Sequence, residues 1–126
     1  MYIDSTVKLF VYGTLKRGFS RNAHLRAQQF MGEARTTAIY RLVDCGSYPG
    51  LVPASPALVD GRSIEGEVWQ VDADCLAKLD KVEAVDEGLY RRERVELEAP
   101  FDATTVETYF YNRSISGLRD CGTRWK

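Results

Sequence analysis

Residues 9–18 read LFVYGTLKRG: an apolar run that breaks at Tyr12-Gly13-Thr14 and continues into two cations and a second glycine. Lys8 to Gly13 reads as a strand of mixed burial, closed by glycine. Gly13 permits positive φ and close backbone approach. Thr14 and Leu15 follow it with free amide groups. A sharp turn after a strand can converge its N–H groups on an anion such as a carboxylate, and Lys16 and Arg17 would add a favourable field. The same residues also read as a plain turn. They are not a P-loop, because G-x-x-x-x-G-K-[ST] fails, nor a dinucleotide fingerprint.

Working outward, Ile64 to Val71 (IEGEVWQV) alternates as a strand should. Residues 33–45 carry Thr, Ile, Tyr and Val and read as another strand. Residues 20–30 predict a short helix. Residues 45–56 hold three of the four prolines and read largely as loop. Asp72-Ala73-Asp74 supplies N-cap candidates for a helix through about Val82. Tyr90 to Leu97 and Thr105 to Tyr111 are two further β-rich runs, separated by a loop around Pro100-Phe101-Asp102. Many strands and few helices, not regularly alternating, predict an α+β fold. A mixed sheet closed into a small β-barrel, flanked by short helices, is the natural way to remove its edges.

At 126 residues the chain is expected to be one domain, 1–126. Its 44% hydrophobic and 28% charged residues suit a soluble globular core. A formal charge of −1 predicts no nucleic-acid or membrane partner. The start, MYIDSTVK, lacks the basic residues and apolar run of a signal peptide, and no stretch approaches the roughly 20 apolar residues that span a bilayer. Cys45, Cys75 and Cys121 are odd in number and widely spaced, which suits reduced thiols in a cytoplasm. With His24 the sole histidine, a His-rich metal centre is excluded and no metal is expected. Oligomeric state is not legible.

The helix from Asp74 is the most informative element. At about 100° per residue, Leu76, Leu79 and Glu83 share a narrow sector, with Asp80 close to it and Lys78, Lys81 and Val85 projecting elsewhere. A carboxylate on an apolar stripe is costly to bury unless paired or neutral. Desolvation would raise its pKa, which makes a glutamate a useful acid/base near neutrality. Alternatively the helix frays before Glu83, or Glu83 pairs with Arg91 or Arg94. Ser47, Ser63 or Cys75 as nucleophile would need His24, which sits in no motif. The arginine-rich runs read as solvated strand faces, since no RNA-binding signature accompanies them. Tyr109 and Tyr111 share one strand face, where they line either a pocket or the core.

These residues resemble the γ-glutamylcyclotransferase superfamily, particularly its AIG2-like and γ-glutamylamine cyclotransferase branches. The resemblance rests on VYGTLKRG at 11–18, YPGLVP at 48–53, IEGEVW at 64–69, LDKVE at 79–83, LYRR at 89–92, YFY at 109–111 and the ending CGTRW. It implies a small mixed barrel with flanking helices and a small-molecule γ-glutamyl substrate. The turn Tyr12, Gly13, Thr14, Leu15 would bind the γ-glutamyl group through backbone amides, with Tyr90 and Tyr111 beside it. Glu83 would be the acid/base, and the products 5-oxoproline and a free amine or amino acid. No metal or cofactor is implied. Two departures stand out: Ala84 replaces the glycine that often follows the glutamate, and the spacing from Glu83 to Tyr90 is about one residue long. Glu87 is therefore a rival acid. A binding protein that keeps the pocket without turnover is the alternative function. The tail around Trp125 reads either as a cover over the pocket or as simple packing of a Trp near the chain end, and with the 47–62 loop it is expected to select the leaving group.

Overall fold

The computed structural model describes residues 6–54 and 60–126. Eight strands and one α-helix follow in the order β1 (Val7–Val11), β2 (Gln29–Arg35), β3 (Tyr40–Asp44), β4 (Pro49–Pro53), β5 (Glu65–Val71), α1 (Ala73–Val82), β6 (Tyr90–Val95), β7 (Val106–Tyr111) and β8 (Arg119–Asp120). They form one mixed sheet in the order β2-β5-β1-β7-β4-β3-β8, with β6 also on β7. β1 runs antiparallel to β5 but parallel to β7. β7 touches β1 along its first half and β4 at Phe110, while β6 pairs antiparallel with its full length. Beyond the strand ends, Thr36 bridges Leu97, with Thr37 N–H donating to the Glu96 carbonyl at 3.0 Å and Glu98 N–H to the Arg35 carbonyl at 2.9 Å. The sheet thus curls into a half-barrel tied at one end, the α+β architecture expected from the sequence.

The apolar run of β1 is continuous because both its faces are covered. Leu9 and Val11 join Trp69, Val71, Leu76, Leu79 and Tyr109 beneath α1. Phe10 and Tyr12 face the other way, into a core with Leu42, Leu51, Val68 and Phe110. Helix α1 begins at Asp72, whose carboxylate accepts from the Cys75 N–H at 2.8 Å, and buries Leu76 and Leu79 as its period requires. Among the described residues, no helix is long and apolar enough to cross a membrane.

Three local expectations need correction. Residues 20–30 form only a 3-10 turn, Asn22–Leu25, whose N-cap makes no side-chain bond. Pairing of Gln29 and Phe30 with β5 claims the rest of that segment for β2. The single strand expected over 33–45 is two, interrupted between Thr36 and Ile39 where the chain leaves β5 for β4. The proline-rich segment contains a strand: Pro49 and Pro53 sit at the two ends of β4, where a missing N–H is tolerated, and Gly50, Leu51 and Val52 are buried between them. Residues 55–59 of that predicted loop lie outside the described residues. Strand β8, two residues on the edge of β3, carried no periodicity to read.

Candidate active site

A small pocket opens where β1 ends. The turn after β1 forms one wall, Tyr48 and Pro49 at the start of β4 another, and Glu83, Tyr90 and Tyr109 the remainder. Six of the seven residues expected there, Tyr12, Gly13, Thr14, Leu15, Glu83 and Tyr90, meet in it.

The turn is held from several directions. Lys16 N–H donates to the Gly13 carbonyl at 3.0 Å, and Arg21 N–H to the Thr14 carbonyl at 2.8 Å. Asn22 closes the segment through its side-chain amide, which donates to the Leu15 carbonyl at 2.8 Å. The amides of Gly13, Thr14 and Leu15, by contrast, have no acceptor among the described residues. Gly13 and Leu15 are buried, and orphaned buried N–H groups are rare in folded proteins. Gly13 is required by space: a Cβ there would lie 2.6 Å from Cγ of Pro49. Pro49 is in turn fixed by Tyr90, whose hydroxyl donates to the Pro49 carbonyl at 2.6 Å. The Tyr12 hydroxyl belongs to the fold. It donates to the Tyr109 carbonyl and accepts from the Leu51 N–H at 3.1 Å, so Tyr12 presents only its backbone and ring to the pocket.

Glu83 is the C-cap of α1, its N–H still donating to the Leu79 carbonyl at 2.8 Å. The helix therefore holds through Val82 and presents Glu83 on the stripe of Leu76 and Leu79. The residue is 7% exposed, and its carboxyl group has no hydrogen bond or ion pair among the described residues. Burial pushes its pKa up to about 7, against a modest opposing pull from the Arg21 charge. Neither expected partner engages it: Arg91 pairs with Glu93 at 3.1 Å, and Arg94 makes no ion pair among the described residues. Ala84 then adopts φ +52°, the left-handed conformation in which glycine commonly terminates a helix. Ala84→Gly should raise stability by about 1 kcal/mol, measured by urea unfolding, because it relieves a Cβ in that conformation. Successive turns from Ala84 to Leu89 absorb the long spacing and return Tyr90 to the pocket. Glu87 is exposed and lies outside the pocket wall.

Three other expectations change. Tyr111 stands one ring behind the pocket, its edge against Tyr90 at 5.7 Å. It shares a face with Tyr109, yet lies two residues further along β7, past the pocket floor. Lys16 and Arg17 lend the turn no direct charge. The Lys16 ammonium donates to the Trp125 carbonyl at 2.9 Å, and Arg17 is bound to Glu67 at 2.9 Å and stacked on Phe30. Trp125 packs on the second core and lines a groove with Arg17, Arg35 and Glu67 instead of covering the pocket.

The sequence reading missed Arg21, Tyr48 and Pro49. Nothing local in YPGLVP shows that the tertiary fold turns it toward Gly13. Tyr109, read as pocket or core, is both: its ring lines the pocket, and its hydroxyl donates to Asp80 at 2.7 Å, which is also held by Arg92 at 2.9 Å.

A curled half-barrel with a buried, unpaired acid beside an open backbone turn defines a class of small-molecule-binding pocket. The family model for gamma-glutamyl cyclotransferase, AIG2-like, matches residues 9–126, and the chain belongs to this family. A Vibrio cholerae protein provisionally named gamma-glutamylcyclotransferase is 38% identical over 114 residues, covering 90% of this chain and 91% of that protein. Human gamma-glutamylaminecyclotransferase is 37% identical over 125 residues, covering 84% and 78%. The crystal structure of a mouse AIG2-like protein superposes with a TM-score of 0.78 at 25% identity, covering 94% of this chain and 87% of that one. Membership supports cyclotransferase activity in general.

Proposed function

We propose that the protein closes a γ-glutamyl substrate on itself, releasing 5-oxoproline and a free amine or amino acid, with Glu83 as general acid/base. The carrying observation is one pocket that holds both a buried carboxyl group and amide groups that have no partner among the described residues.

The substrate's α-carboxylate accepts from the amides of Gly13, Thr14 and Leu15. Its α-ammonium gives a proton to the Glu83 carboxylate, and the freed nitrogen attacks the γ-carbonyl. One N–C bond forms and the carbonyl π pair moves to oxygen. As that pair returns, the bond to the departing nitrogen breaks and Glu83 delivers its proton there; the emptied Glu83 carboxylate takes the second proton from the ring nitrogen, leaving a neutral lactam N–H, and passes it to the free amine or to solvent. No covalent enzyme intermediate is needed. Folding nucleophile and electrophile together can supply about 7–11 kcal/mol of the barrier. A carboxyl group with pKa about 7 is populated in both forms near neutrality, as a group that first accepts and then donates should be.

The human relative is named for amines and the V. cholerae relative for cyclotransferase activity without a leaving group. The test therefore spans both: γ-glutamyl dipeptides, γ-glutamyl-ε-lysine, simple γ-glutamylamines and glutathione, with 5-oxoproline read by mass spectrometry. Product from at least one substrate is expected. Binding of several without product from any would favour a pocket that binds and does not turn over.

A further inference from the structure

Arg21 is the one pocket-lining residue that carries a positive charge. It is half-buried, between the β1 turn and the 3-10 turn. Its backbone is committed, the N–H donating to the Thr14 carbonyl at 2.8 Å. Its guanidinium is not: among the described residues it makes no hydrogen bond, ion pair or ring contact. Three other cations, on the turn and on β6, are engaged. Lys16 holds the Trp125 carbonyl, Arg17 holds Glu67, and Arg92 holds Asp80 and Glu107. Glu83 feels the Arg21 charge, yet the two form no ion pair, so acid and guanidinium bound the pocket with space between them.

An arginine fork with no partner at the wall of a pocket is suited to a carboxylate, which it can grip through two parallel N–H donors. Resting on the proposed reaction, the open amides of the turn take the substrate's α-carboxylate. That leaves Arg21 for a second one. We propose that Arg21 is a specificity-determining residue that binds a carboxylate on the leaving amine, so that the favoured substrates are γ-glutamyl conjugates of amino acids over those of simple amines.

The test compares γ-glutamyl-alanine with γ-glutamyl-ethylamine, which differ only in that carboxylate, in wild type, Arg21→Gln and Arg21→Lys. The Arg21 N–H bond to Thr14 survives both substitutions. Wild type should prefer γ-glutamyl-alanine in kcat/KM, chiefly through KM. Arg21→Gln should lower that preference about 10- to 100-fold, the range for losing a charge-assisted hydrogen bond, and Arg21→Lys should retain part of it. Equal losses on both substrates would overturn the assignment and place Arg21 on the α-carboxylate. No change on either would also overturn it. The same preference is read as a ratio of Kd values by calorimetry on Glu83→Gln with and without Arg21→Gln. Failure of turnover would thus count against the reaction, and failure of the Kd ratio against Arg21.

Discussion

Glu83→Gln is expected to lower kcat by about 10²- to 10⁴-fold, the usual contribution of a positioned general acid/base, while the protein stays folded. The amide keeps the size of the side chain and removes its proton traffic. Wild-type kcat/KM should rise with pH through about 7, where the Glu83 carboxylate becomes available as base. The variant's residual rate should lack that limb. Undiminished product would move the acid to another residue, and Glu87 is poorly placed to be it, exposed and outside the pocket.

The same substitution should stabilise the protein, in a pH-dependent way. The folded pKa of Glu83 lies above its ordinary value of 4.5, at about 7. Between those values the folded state retains a proton that the unfolded state has released, so stability falls as pH rises. The contribution is fully present below about 4.5 and lost once pH passes about 7. From 4.5 to about 7, the span corresponds to about 3 kcal/mol. Glutamine does not titrate. The stability of Glu83→Gln relative to wild type should therefore grow by about that amount between pH 4 and pH 8, measured by urea unfolding at both. A difference independent of pH would mean that the carboxyl group is not desolvated in the folded protein.

Gly13→Ala is the second large effect. The added Cβ would stand 2.6 Å from Cγ and 2.8 Å from Cδ of Pro49, a rigid ring that cannot rotate away. Pro49 is anchored through its carbonyl to the buried Tyr90 hydroxyl and lies in register with Asp44. The turn must therefore move, and the amides of Gly13, Thr14 and Leu15 move with it. Overpacking of this kind costs about 1–3 kcal/mol. Displacing substrate-positioning groups by about 1 Å can cost about 100-fold in rate. Gly13→Ala should show both, a lowered urea midpoint and a kcat/KM reduced by one to two orders of magnitude. Normal activity with normal stability would show that the turn does not hold the substrate.

Much of this was legible in the chain itself. The apolar run into Tyr12-Gly13 marks a strand and its end, because glycine after an apolar stretch is a local signal. The period that places Glu83 with Leu76 and Leu79 is local too, and the structure keeps it through the last turn of α1. Strands β5, β6 and β7 followed from alternation and β-branched content. Residues 20–30 and 49–53 were misread for one reason: their conformation is chosen by the strands they pair with, β5 for Gln29 and Phe30 and β3 for Pro49 to Pro53, against their own propensity.

The family-defining segments, the strand that ends at Gly13 and the acid on an apolar helix face are local features, readable because each depends on residues within one turn or one strand. What surrounds them is set by contacts between elements far apart in the chain. Burial without a partner, which gives Glu83 its pKa, depends on β1, β6 and β7 closing around it. Pro49 meets Gly13 because β4 lies beside β7, and the cations sort themselves by which carbonyls and carboxylates reach them. Lys16 and Arg17, next to the turn in sequence, are drawn away to Trp125 and Glu67. Arg21, further along the chain, is the one left facing the pocket.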